Sequence, residues 1–96
     1  MPRAFLATRT PPAPAPLATW LEGVPLGPGT TTEALLHAGL SELDAARSAP
    51  GRVRTSAFHL LAADALLTYA CEAALEADDP RAALVEILRR GAAPRR

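Results

Sequence analysis

Only four of the 96 residues are Val or Ile, and only four are aromatic. Strands draw on β-branched and aromatic side chains, so this shortage excludes a sheet architecture. Lysine is absent, and ten arginines balance ten acids to a net charge of zero. No field of one sign is left to attract nucleic acid or an anionic membrane surface. One cysteine, Cys71, excludes an internal disulfide and fits a reducing cytoplasm. No Walker A motif, GxGxxG, CxxC, HxxxH or HExxH is present. No cofactor or metal is therefore expected, and the chain is not expected to be an enzyme on its own. The N-terminal segment carries Arg3 and Arg9 with no acid before Glu22, but its apolar run, Ala4 to Ala7, is too short for a secretory signal.

What is present is Ala and Leu. Ser56 to Ala77 contains no Gly or Pro and is built of strong helix formers. Asp64, Thr68, Glu72 and Glu76 recur every fourth position and make one narrow polar stripe on a helix. Such a helix is either the centre of a bundle or a membrane span. Its length would suffice for a bilayer, but three acids along it would each cost a few kcal/mol in lipid. The reading is a buried core helix, with no membrane association. Cys71 within it is expected to be core filler, and Asp64 the edge of the polar stripe. His37 is expected to face solvent, and nothing in the spacing of His37, His59 and the acids demands a metal.

Other elements surround this helix. Five of the ten prolines fall in residues 1–16, and the run PPAPAP favours polyproline II, so an extended or disordered arm is expected there. Leu17 to Glu22 forms a short helix with Trp20 and Leu21 as anchors and Gly23 at its end. Gly23 to Gly29 is a loop. Thr30 to Ser48 is amphipathic, with Thr30 and Glu33 at capping-box spacing and Leu35, Leu36, Leu40 and Leu43 on one face. Gly39 costs that helix about 1 kcal/mol relative to Ala and suits a close helix approach. Asp79 and Pro80 open a last helix that Gly91 closes. Residues 17–91 thus form a small all-α bundle of three main helices plus a short N-terminal one, followed by a flexible tail over 92–96.

Gly51-Arg52-Val53-Arg54, the stretch LLAADAL from Leu60 to Leu66, and Val85-Glu86-Ile87-Leu88 resemble the N-terminal part of the trans-isoprenyl diphosphate synthases. The resemblance spans at most residues 33–90. It implies an all-α fold and assigns Arg52 and Arg54 to a diphosphate ligand, for which paired guanidiniums are suited. The aspartate-rich motifs of that family are absent. Asp78 and Asp79 are followed by Pro80, Arg81 and Ala82, so the carboxylates that would carry magnesium are missing.

The expected function is that of a small helical interaction or accessory protein in the cytoplasm. It would associate with itself or join a larger complex, with Trp20 and Phe58 at the interface, because few elements are available to cover so apolar a helix. The alternative is a truncated, non-catalytic relative of the isoprenyl diphosphate synthases that binds diphosphate through Arg52 and Arg54.

Overall fold

Among the residues that the computed structural model describes (2–48, 51 and 53–92), there are five helices and no strand. They are α1 Pro2–Ala7, α2 Ala15–Glu22, α3 Thr31–Arg47, α4 Val53–Leu75 and α5 Pro80–Ala92. Local chemistry sets the starts of α3, α4 and α5. Thr30 Oγ1 accepts from the Glu33 N–H at 3.1 Å, and Glu33 Oε1 accepts from the Thr30 N–H at 2.9 Å, completing the capping box. Asp79 Oδ1 accepts from the Ala82 N–H at 3.1 Å, with Pro80 at the first helical position. Gly51 adopts φ +79°, a left-handed turn residue, and α4 begins two residues later. It therefore starts at Val53, one turn earlier than Ser56.

Other ends differ from expectation as well: α2 begins at Ala15, before Leu17, and α4 stops at Leu75, short of Ala77. α5 runs through Gly91 to Ala92. Glycine permits the left-handed cap but does not impose it, and Gly91 is not among the glycines of positive φ. The N-terminal arm is not wholly extended: Pro2–Ala7 is helical, and only the connection from Thr8 to Pro14 is irregular. Long-range contacts explain the difference. Phe5 and Leu6 pack against the core. The Arg3 guanidinium donates to the Leu21 carbonyl at 2.8 Å, which also accepts from the Val24 N–H, and to the Val24 carbonyl in the loop after α2. Arg9 lies 3.6 Å from the Phe5 ring centroid and pairs with Glu72 at 2.8 Å.

The core is the seam between α3 and α4. Leu35, Leu36 and Leu66 are its largest fully buried side chains. Five of the six buried side chains of α4 are alanines, Ala62, Ala63, Ala70, Ala73 and Ala74, and they let the two helices approach closely. Gly39 lies against Leu67 in that seam, with no room for a Cβ. Leu21, Val24 and Ile87 close the core from α2, its following loop and α5. The radius of gyration is 13.1 Å, close to the ~12.5 Å of a compact domain of this length.

α4 is covered on one side only. Val53, Ala57, Leu60, Leu61, Asp64, Thr68, Cys71 and Leu75 are all exposed. They occupy one arc of about 100° on the helix. Cys71, expected in the core, is on this outer face. Alanine at the inner positions already fills the narrow α3–α4 seam, which leaves the thiol no interior place. By length and composition α4 is apolar enough to cross a membrane, and 33% of its most apolar window is buried within the protein.

The capping box yields a testable expectation. Thr30→Ala should lower stability by about 1 kcal/mol through loss of the N-cap acceptor. The Thr30 N–H, and then the Thr30 side chain, hold the Glu33 carboxyl below the usual carboxylate range, helped by the charge of Arg90. A lowered folded value contributes stability above the ordinary carboxylate range and loses it as pH falls through the lowered value. Glu33→Ala should therefore melt below the wild type at neutral pH, with the gap narrowing in acid. Thermal unfolding at both pH values checks it.

Candidate functional site

Helix α2 lays Trp20 across α3 and α4. The indole Nε1–H donates to Glu42 Oε1 at 2.7 Å. Glu42 Oε2 lies 3.3 Å from His59 Nδ1. The Trp20 ring stacks on Phe58 with centroids 5.1 Å apart and planes 11° from parallel, and it meets His59 edge-on at 5.1 Å and 87°. An open groove of about 460 Å³ lies over this cluster, with Pro16 and Pro25 also on its walls. The structure thus brings the two residues expected at an interface, Trp20 and Phe58, against each other within the chain.

The sequence reading missed Glu42. Its signal was indirect: a half-buried indole needs an acceptor for its N–H, and Glu42 stands beside Leu43 on the margin of the apolar face. Glu42 is 13% and His59 19% exposed at the side chain. A carboxylate this enclosed is sustained by the two donors that reach it. With Nδ1 turned to Glu42, Nε2 is the nitrogen of His59 left for other partners.

Chemically, this is a carboxylate-oriented imidazole. Among the described residues no hydroxyl or thiol is hydrogen-bonded to it, and no group of three His, Cys, Asp or Glu side chains could hold a metal ion. The nucleophile of a triad is thus not in place. What the cluster does within the fold is tie α2 to α3 and α4. Arg54 is exposed on the first turn of α4, and Arg52 lies outside the described residues. His37 is exposed, as expected, and Asp64 is exposed in the middle of the outer face of α4.

The larger unassigned surface is apolar. Val53 is 81% exposed, Leu60 50%, Leu61 51% and Leu75 65% on α4, with Val85 54% and Leu88 72% on α5. α5 contributes no fully buried side chain, although Ile87 packs on the core. The accessible surface is 6326 Å². A folded monomer of 10.0 kDa exposes roughly 5,200 Å². The chain as a whole therefore leaves more surface open than a closed globule of its mass.

No protein-family model, no curated protein and no solved structure matches this chain.

Proposed function

We propose that this protein is a small helical interaction module that self-associates through the outer face of α4 and the neighbouring face of α5, and that it acts as a structural or accessory subunit in the cytoplasm. The observation that carries this reading is the row of exposed Val and Leu side chains along α4, continued by Val85 and Leu88 on α5. Scattered surface leucines are ordinary, whereas aligned ones on a helix covered on one side only mark a docking surface. Helix-on-helix docking needs an apolar stripe at helical spacing, and α4 supplies one from Val53 to Leu61 that resumes at Cys71 and Leu75 after Asp64 and Thr68.

Cys71 reports on this face. It is the only thiol in the chain and is exposed on the stripe. Alkylation by a small maleimide should be fast in dilute protein and slow progressively as concentration rises and a second copy covers the thiol. A rate that stays constant into the millimolar range would remove the self-association reading.

A further inference from the structure

We infer that the second copy docks antiparallel along α4, with the two-fold axis passing beside Asp64, so that this one carboxylate limits how tightly the protein self-associates. The inference rests on the self-association proposed above and specifies its geometry and control.

Positions 53 and 75, 57 and 71, and 60 and 68 lie at equal distances on either side of position 64, and all seven positions are exposed. A two-fold pairing centred there sets Val53 against Leu75 of the partner subunit. It sets Ala57 against Cys71 of the partner subunit, and Leu60 against Thr68 of the partner subunit. Each of these seven positions then has an exposed counterpart, as a closed isologous interface requires, while Leu61 flanks the pairing, its own counterpart Leu67 being held in the α3–α4 seam. A shifted register that places Arg54 near Asp64 of the partner subunit would gain two exposed ion pairs. It would also leave Leu75 uncovered on both copies. An exposed ion pair is worth less than the burial of a leucine, so the centred register wins. A parallel pairing would set the helix dipoles side by side in the same sense, which the antiparallel one avoids.

The centred register has one cost. Asp64 is the only charged residue among these seven positions, Arg54 being exposed at the edge of the stripe, and among the described residues Asp64 forms no ion pair within the chain. Across the axis it meets its own copy, and two like charges drawn out of water repel. Asp64 lies on the outer face, away from the α3–α4 seam, so its cost falls on association and leaves the monomer fold untouched.

Sedimentation of wild type, Asp64→Asn and an equimolar mixture of wild type with Asp64→Arg tests the charge. The Asn variant should associate on the order of ten times more tightly. The mixture should form the heterodimer in preference to either homodimer. A short bis-maleimide tests the orientation. It should link Ala57→Cys to Cys71 of the partner subunit and give a covalent dimer, whereas wild-type protein, with Cys71 alone, should give little. An unchanged or weakened Asn dimer, beside a wild type that still dimerises, would overturn the arrangement alone. So would efficient linkage of wild-type Cys71 to its own copy, the signature of a parallel pair. A wild type that stays monomeric would overturn the arrangement and the self-association together.

Discussion

Replacing Gly39 with Leu should abolish cooperative folding, and Gly39→Ala should cost about 1 kcal/mol net, the reverse of what helix propensity predicts. In an ordinary helix interior Gly→Ala gains about 1 kcal/mol. Here a Cβ at position 39 would stand 2.8 Å from Leu67 Cδ2, 2.9 Å from Leu67 Cγ and 3.2 Å from the Leu67 backbone nitrogen. The methyl end could swing aside, but Leu67 is packed against the core and the nitrogen belongs to the α4 backbone. Relief requires the two helices to separate, and the alanines that line α4 have no reach to refill the gap. Overpacking of this kind costs about 1–3 kcal/mol, which outweighs the propensity gain. A branched side chain of leucine size would push α3 off α4. That would forfeit the burial of Leu35, Leu36 and Leu66, a loss on the scale of the whole ~5–15 kcal/mol stability of a small domain. Urea unfolding followed by circular dichroism measures both. An alanine variant more stable than wild type would show that the α3–α4 seam has slack.

The second large effect lies on the opposite side of α4. Leu60→Glu combined with Leu61→Glu should leave the monomer fold intact and weaken self-association at least a hundredfold. Both side chains are about half exposed, at 50% and 51%, and neither belongs to the buried core. Glu is a good helix former, so α4 should persist. In the associated state the same change places four carboxylates, two from each copy, beside the two Asp64 groups. Each would have to lose water without a cation to pair with. A hundredfold loss corresponds to about 2.7 kcal/mol, less than 1 kcal/mol for each introduced charge. The pair of results separates the faces of the helix: position 39 acts on folding, positions 60 and 61 on association.

Much of the fold is legible in the chain because it is fixed locally. The Thr30–Glu33 capping box, the Asp79–Pro80 helix start and the close approach at Gly39 each depend on a few neighbouring residues or on one missing side chain. What escapes the sequence is set by residues far apart. α1 forms where composition suggested an extended arm because Arg3 reaches carbonyls 18 and 21 positions away and Arg9 reaches Glu72, 63 positions away. Glu42 draws its role from Trp20 and His59, on two other helices. The core helix shows the limit of periodicity most clearly. A helix apolar on nearly all sides does not announce which side its neighbours will cover. Only packing revealed that Ala62, Leu66 and Ala70 turn inward while Leu60, Leu61 and Cys71 turn outward. Trp20 and Phe58, both expected at an interface, stack on each other within the chain, a contact between two helices that periodicity does not show.

Sedimentation equilibrium of the wild-type chain from micromolar to millimolar concentration tests the central claim most directly. The account predicts a reversible shift from the 10.0 kDa monomer toward a species of about twice that mass, and no shift in the Leu60→Glu, Leu61→Glu variant. A wild-type protein that remains at the monomer mass over the whole range would contradict it.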